Sequence, residues 1–182
     1  MPDVYATIEQ ADESVQERLA DVLELRAGDL QQRAMLEDYL NDLPLPAGAR
    51  ILEIGCGTGA VARTLVTKLA AREVVGIDPG PLFIEQARRR AGGIDRLTFV
   101  IGDGPDLPFE DDSFDAVVCH TTLCHIPGPE RVLDEALRVI APMAGLPCSM
   151  VTTSRRRSRS PTTIHYRCAS AQRSRRSSTI AF

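Results

Sequence analysis

A carboxylate beside a run of alternate glycines is the group in this chain best placed to hold a charged ligand. Glu53 lies two residues before Gly55, and Gly57 and Gly59 follow at alternate positions. Glycine lets a backbone turn tightly and come into contact with a ligand. A carboxylate next to that turn repels phosphate and attracts a cation. We therefore expect a site for a cationic small molecule at Glu53.

Two aspartates follow later apolar segments in the same way. Asp78 ends the segment Glu73–Asp78, and Asp103 comes shortly after Leu97–Ile101. In a nucleotide-binding fold, an acid at the end of the second strand can accept hydrogen bonds from two ribose hydroxyls. The alternative for both aspartates is a turn-forming role without a ligand. At Asp78, the position at the end of the second strand favours a ligand that includes a ribose.

The elements that would position these acids alternate between strands and helices. Apolar segments at 51–54, 73–78, 97–101 and 114–119 predict four strands, and helical periodicity predicts helices after Gly59, at 81–91 and at 127–140. This alternation is typical of an α/β, doubly wound parallel sheet, which gathers ligand-binding groups at the carboxyl ends of its strands. Residues 5–42 are predicted to be mostly helical, with a break at Gly28 and with Asp29 capping the second helix.

Two sequence motifs together resemble a known family. The segment 53–59, E-I-G-C-G-T-G, resembles motif I of the class I methyltransferases that depend on S-adenosyl-L-methionine (SAM). The segment 107–118, L-P-F-E-D-D-S-F-D-A-V-V, resembles the L-P-F-x-D-x-S-F-D-x-V segment of the methyltransferase type 11 group, which includes ubiquinone- and menaquinone-biosynthesis-like enzymes. The resemblance covers about residues 5–140 and implies a Rossmann-like methyltransferase sheet, with SAM as the cofactor.

The resemblance also implies a set of cofactor-binding residues. Glu53 and the glycine-turn backbone would hold the amino-acid end of SAM, Asp78 the ribose, and Asp103 the adenine amino group. No catalytic residue is expected, because positioning the two reactants is the main work of methyl transfer. The complete predicted set is Glu53, Gly55, Cys56, Gly57, Gly59, Asp78, Pro79, Asp103, Gly104 and His120.

Two other sites compete with this interpretation. Residues 55–60 also fit the G-x-G-x-x-G/A pattern of a dinucleotide site, which would indicate an NAD-dependent oxidoreductase. The pairs Cys119-His120 and Cys124-His125 are spaced five residues apart and suggest a metal site. Glu53 disfavours the first alternative. The position of the pairs, after the fourth strand, favours residues that line the ligand cleft, with His120 or His125 facing the substrate, and no metal is expected.

The charge distribution divides the chain. All 25 acidic residues lie at or before Glu135, whereas nine arginines and no acid follow it. We predict an N-terminal helical lead-in at 1–48, a SAM-binding methyltransferase core at 49–140, and a basic Ser/Arg-rich tail at 141–182. The tail sustains neither strand nor helix periodicity, so we expect it to be disordered.

A shifted reading frame offers one origin for this tail. Back-translation of residues 141–153, read from the third base of each codon, permits P-D-G-W-L-A-V-F-D-G-D-Y, which has the turn and apolar strand expected by the family. We therefore interpret the tail as a frameshift product, to be checked by sequencing the gene across codons 138–150. The C-terminal strands would then be missing or altered and the fourth strand would have an unpaired edge, giving low solubility and weak activity.

The remaining expectations concern partners and location. If the basic tail is instead functional, it could bind nucleic acid through phosphate contacts, and the chain would be a non-catalytic SAM-binding remnant. Otherwise the partner is a small-molecule methyl acceptor, and neither nucleic acid nor a membrane is expected. Five cysteines without a C-x-x-C pair, and an N-terminus without a signal sequence, indicate a cytoplasmic protein. The oligomeric state is left open.

Overall fold

The computed structural model describes residue 8, residues 11–41 and 45–142, and the backbone of two strands at 149–154 and 162–166. The helices are α1 (Glu13–Gly28), α2 (Leu30–Asn41), α3 (Ala60–Lys68), α4 (Pro81–Ala91) and α5 (Glu130–Val139). The strands are β1 (Arg50–Ile54), β2 (Glu73–Asp78), β3 (Leu97–Ile101), β4 (Ala116–His120), β5 (Ser149–Ser154) and β6 (Thr162–Tyr166). The predicted bounds of β2, α4 and β3 are confirmed.

The strands form one sheet in the order β3-β2-β1-β4-β5-β6. The pairs β1–β2, β1–β4, β2–β3 and β4–β5 are parallel, and β6 runs antiparallel to β5. The chain passes from β1 outward to β3 and then returns to the other side of β1 as β4. Such a reversal opens a crevice at the carboxyl ends of the central strands, which is where ligands bind in doubly wound sheets.

Alternation along β1 divides the core into two layers. Ile51 packs with residues of α2, α3 and α4, whereas Leu52 and Ile54 pack with residues of α5 on the opposite face. Because successive side chains of a strand point to opposite faces, Glu53 lies on the same face as Ile51. The sequence therefore places a carboxylate inside the layer between the sheet and α3.

The amino ends of the central strands are tied together by Arg50. Its backbone N–H donates to Asp115 Oδ2 at 2.7 Å, and its guanidinium binds Glu73 Oε2 at 2.6 Å and the Ser113 carbonyl at 3.0 Å. The guanidinium carbon also lies 4.5 Å from the centre of the Phe114 ring. These contacts fix β1, β2 and the chain entering β4 at the edge of the sheet opposite the crevice.

The segment 107–118 is held in place by α5. Arg138 donates to the carbonyls of Leu107 (3.1 Å) and Phe109 (2.8 Å) and to Asp111 Oδ1 (2.8 Å). Glu135 accepts a hydrogen bond from the Leu107 backbone N–H at 2.9 Å and also binds Arg138. The motif that resembles the type 11 group therefore has a structural role, because it packs the chain before β4 against α5.

The C-terminal segment departs from the expectation of an unpaired fourth strand. Backbone pairing joins β4 to β5 from Ala116↔Ser149 to His120↔Thr153, and β6 covers the far edge of β5. A strand edge offers free N–H and C=O groups, and the Ser149–Ser154 sequence contains β-branched residues that favour strands. The prediction of an unpaired β4 edge is therefore wrong. The rest of the tail, at 143–148, 155–161 and 167–182, lies outside the described residues, and the frameshift stays a prediction.

Candidate functional site

A cleft of about 810 Å³ lies at the carboxyl ends of β1, β2 and β4, beneath α1 and α2. Its volume falls within the range of pockets that bind small molecules and cofactors. Most of the residues predicted from sequence line it together: Glu53, Gly55, Cys56, Gly57, Asp78, Pro79, Asp103, Gly104 and His120. The cleft is therefore the place where the predicted ligand-binding groups meet.

Gly59 is the one predicted residue that does not line the cleft. It precedes α3 with a φ of 76°, and a Cβ added there would lie 2.5 Å from Phe99 Cζ and 3.1 Å from Ala87 Cβ. The third glycine of the turn therefore allows α3 to approach β3 and α4 closely, and its contribution is to packing.

The first part of the glycine turn is fixed by the sheet. The backbone N–H groups of Gly55 and Cys56 both donate to the Ile77 carbonyl, at 2.8 and 3.1 Å. A Cβ at Gly55, where φ is 71°, would collide with Thr122, whose hydroxyl donates to the Ile54 carbonyl at 3.1 Å. Only glycine fits this position, and the turn brings its backbone to the wall of the cleft.

Asp78 shapes the same turn from the neighbouring strand. Its Oδ2 accepts a hydrogen bond from the Gly57 N–H and its Oδ1 one from the Gly80 N–H, both at 2.9 Å, and the residue is 8% exposed. An ionised carboxylate has about four acceptor positions, so one side chain can both shape a turn and accept from a ligand hydroxyl. The sequence predicts the ligand role of Asp78 but not its contact with Gly57.

Glu53 is a buried carboxylate with an incomplete set of partners. It is 2% exposed, and its Oε2 has no hydrogen-bond partner among the described residues. Burial raises the pKa of Glu53 well above its usual value, and the charge of Asp78 raises it further, against the lowering effects of the Ala62 backbone N–H and of Arg63. Since a buried charge is stable only when paired, this side chain is suited to a cationic ligand in the cleft.

The helix α1 covers the glycine turn. The Leu23 methyl lies so close to Gly57 that a Cβ there would be 2.9 Å from Leu23 Cδ1. Arg63 joins the two elements, because its guanidinium binds Glu24 at 2.8 Å and the Thr58 carbonyl at 2.8 Å. The sequence predicts helices here but no role for these residues at the site.

His120 contacts a buried tyrosine that is not among the predicted site residues. Its Nδ1 lies 2.9 Å from the Tyr39 hydroxyl, and Tyr39 is 3% exposed. Burial, followed by the charge of Arg26, lowers the pKa of His120 to about 4. Burial and then Glu53 raise the pKa of Tyr39. Both side chains are therefore neutral at pH 7. Tyr39 could not be selected from the sequence, because it occupies an apolar position of a helix like any core residue.

The third strand contributes its end to the cleft rim. Asp103 is exposed there, while Gly104 is buried and a Cβ at that position would lie 3.0 Å from Ile54 Cγ2. The Gly102 N–H donates to the Asp78 carbonyl at 3.1 Å, which holds the end of β3 beside the end of β2. Asp103 is thus within the same cleft as the other two acids, at its solvent-facing side.

The cysteine–histidine pairs do not come together as a metal site. Cys119 is buried on the α5 face of the sheet, whereas Cys124 is exposed, and both histidines line the cleft. No group of three or more potential metal ligands occurs within the described part of the chain. Among the same residues, no helix combines the length and apolar character needed to cross a bilayer.

The chain is similar to known proteins in both sequence and structure. A family model described as a methyltransferase domain matches residues 52–146. A demethylmenaquinone methyltransferase from Clavibacter sepedonicus is 45% identical over 96 residues, covering 53% of this chain and 38% of the relative. A 27-O-demethylrifamycin SV methyltransferase from Amycolatopsis mediterranei is 34% identical over 143 residues, covering 77% of this chain and 45% of the relative.

A solved structure shares the fold. It is the complex between the Haloferax volcanii Trm112 methyltransferase activator and a methyltransferase, with a TM-score of 0.67 and 25% identity, covering 80% of this chain and 59% of that one. The chain thus spans less than half the length of the two sequence relatives. These likenesses do not support the dinucleotide alternative.

Proposed function

Because the chain belongs to the methyltransferase domain family, we propose that it transfers a methyl group from SAM to a small-molecule acceptor. Class I methyltransferases share the Rossmann-like sheet described above and depend on SAM. The names of two relatives support a small-molecule acceptor, because one is named for demethylmenaquinone and another for a demethylated rifamycin. The acceptor of this chain is proposed only at the level of a small molecule.

The buried carboxylate of Glu53 carries the proposal. A side chain that is 2% exposed, with an oxygen that has no hydrogen-bond partner in the described part of the chain, would be costly in a site built for phosphate or for a neutral ligand. SAM carries an ammonium and a sulfonium and has no phosphate. The Glu53 carboxylate would pair with the ammonium, and the family's glycine turn would place the ligand against it.

The remaining acids have complementary tasks in this proposal. Asp78, fixed by the Gly57 and Gly80 amides, would accept hydrogen bonds from the ribose hydroxyls. Asp103, exposed at the rim, would accept one from the adenine amino group. When bound, SAM supplies an activated methyl group, which an acceptor displaces in line to leave S-adenosylhomocysteine. The protein would contribute mainly the alignment of the two reactants.

The neutral pair Tyr39–His120 fits this chemistry. A protonated histidine in the cleft would repel the sulfonium, and the lowered pKa of His120 keeps its imidazole uncharged at pH 7. The hydroxyl of Tyr39 fixes the orientation of the ring through Nδ1. We assign these residues to the wall of the reaction space and assign no general base.

Calorimetry on the full chain tests the proposal. We expect SAM and S-adenosylhomocysteine to bind and NAD not to bind. Glu53→Gln should weaken the affinity for SAM about 10-fold or more, because a charge-assisted hydrogen bond is lost. The matched control is Glu17→Gln, an exposed glutamate outside the cleft, which should leave the affinity unchanged. Binding of NAD without SAM, or equal SAM affinity in both variants, would contradict the proposal.

The stability of the ligand-free protein provides an independent measurement. The folded pKa of Glu53 is raised, so the wild-type free energy of unfolding falls as the pH rises from about 4.5 through that pKa. Glu53→Gln removes this loss and should raise the free energy of unfolding at pH 7. A residue that weakens the folded protein yet is needed for the ligand is expected at a binding site.

A further inference from the structure

Two of the cations that line the cleft have no ionic partner among the described residues. Four basic residues line it, and two of them are paired: Arg63 with Glu24 at 2.8 Å, and Lys68 with Glu37 at 3.1 Å. The other two, Arg26 and Arg33, form no ion pair or side-chain hydrogen bond within the part of the chain that the structure describes. The two arginines without an ionic partner therefore lie on α1 and α2, where the glutamates that also line the cleft are already paired, opposite the acids at the sheet end.

Arg26 is the more informative of the two cations. It is partly buried, whereas Arg33 is exposed, and it lies in the last turn of α1, the helix that covers the glycine turn. Its charge is close enough to His120, at the end of β4, to contribute to the lowered pKa of that imidazole. Arg26 therefore lines the cleft as a partly buried residue, and its charge acts on His120 at the end of β4.

A helix dipole explains part of this placement. The C-terminal end of a helix carries a partial negative charge that favours a cation in the last turn. This effect stabilises a cation at the end of α1 without requiring that it line the cleft or influence His120. A partly desolvated guanidinium without a carboxylate partner is better satisfied by an anion, and its planar fork matches a carboxylate in particular.

We infer that Arg26 is the carboxylate-binding residue of the cleft, facing the ammonium-binding Glu53 from the helical side. The inference rests on the proposed function, because it assumes that the cleft binds SAM. Two bound molecules could supply the carboxylate: the amino-acid end of the cofactor, or the methyl acceptor. Both present the same chemistry to the guanidinium, and binding measurements can separate them.

The experiment compares ligands with and without the carboxylate. S-Adenosylhomocysteine has the amino-acid end, and 5′-methylthioadenosine has the same nucleoside without it. Affinities of both are measured by calorimetry for the full-length wild type, Arg26→Gln and Arg26→Lys, with benzoate as a carboxylate probe of the protein saturated with S-adenosylhomocysteine. The control variant is Arg72→Gln, an exposed arginine outside the cleft without a side-chain hydrogen bond among the described residues.

If the carboxylate belongs to the cofactor, Arg26→Gln should weaken the affinity for S-adenosylhomocysteine about 10-fold or more and leave the affinity for 5′-methylthioadenosine unchanged. Arg26→Lys should recover part of the lost affinity. An acceptor carboxylate predicts unchanged S-adenosylhomocysteine affinity and loss of benzoate binding. Equal weakening of both nucleosides, or retention of both S-adenosylhomocysteine and benzoate affinities, would overturn the inference. If the wild type binds neither nucleoside, the proposed function itself has failed.

A spectroscopic readout tests the geometry apart from any ligand. Arg26→Gln should raise the pKa of His120 measured by NMR, because the second largest cause of its lowering is removed. Tyr39 on α2 and Arg26 on α1 are among the groups that face His120 from neighbouring elements. Arg72→Gln should leave that pKa unchanged, and an unchanged value in Arg26→Gln would contradict the placement of Arg26 in the cleft.

Discussion

The close approach at Gly59 can be measured with two glycine-to-alanine variants. Gly59 and Gly92 both have positive φ angles, 76° and 59°, so alanine is strained at either position. At Gly92 an added Cβ meets nothing within 4 Å, whereas at Gly59 it would lie 2.5 Å from Phe99 Cζ. Gly92→Ala therefore isolates the backbone strain, and Gly59→Ala adds the steric overlap.

The expected losses follow from these geometries. A non-glycine residue in the left-handed region costs about 1–2 kcal/mol, so Gly92→Ala should lower the free energy of unfolding by that amount. Overpacking in a dense core costs about 1–3 kcal/mol more, and Phe99 is only 4% exposed and cannot easily move away. We expect Gly59→Ala to lose roughly 2–5 kcal/mol in total.

Urea unfolding followed by circular dichroism gives both values, provided that the slope of the transition is unchanged between variants. The affinity for S-adenosylhomocysteine, measured on the folded fraction, should change little, because Gly59 does not line the cleft. Equal losses in the two variants would refute the argument that Gly59 permits the packing of α3 against Phe99. A large loss of ligand affinity without a loss of stability would refute the assignment of Gly59 to packing.

Three further predictions concern stability. Asp29→Ala should lower the free energy of unfolding, measured with urea, by about 1 kcal/mol, because Asp29 Oδ1 accepts hydrogen bonds from two amides at the start of α2. The same change at exposed Asp38 should lower it less. Arg138→Gln should lower the free energy of unfolding by about 2 kcal/mol, because several hydrogen bonds to segment 107–118 are lost. An equal loss in Arg131→Gln, on the same helix, would contradict this. The free energy of unfolding should fall by roughly 3 kcal/mol as the pH falls from about 6.5 to about 4, because the folded state holds the pKa of His120 low while the unfolded chain takes up a proton. His120→Asn should flatten that pH profile.

Elements bounded by strong local signals were predictable from the sequence. The segments Glu73–Asp78 and Leu97–Ile101 are apolar runs bounded by turns, and Pro81–Ala91 starts with a proline at its first helical position. Other bounds depend on tertiary contacts. Phe114 was predicted to begin β4 but forms an isolated bridge with Ile140, and Gly128, at a φ of 64°, delays the start of α5 to Glu130.

The candidate site likewise contains residues that local signals predict and residues that depend on tertiary contacts. Its acids could be predicted because each follows an apolar strand, and parallel strands bring their carboxyl ends together. Tyr39 and Arg26 could not, because their neighbours at the site are far away in sequence: the Tyr39–His120 contact spans 81 residues. The strand pairing of Ser149–Ser154 likewise depends on the free edge of β4, which a search for local periodicity does not detect.

The burial of Glu53 has a thermodynamic consequence for ligand capture. In the free protein its raised pKa favours the protonated acid, whereas a bound ammonium would favour the carboxylate. Between these two pKa values the cleft would exchange a proton for the cation, so the heat of binding would depend on the ionisation enthalpy of the buffer and the affinity would increase with pH. One buried oxygen thereby couples occupancy of the cleft to the proton concentration of its surroundings.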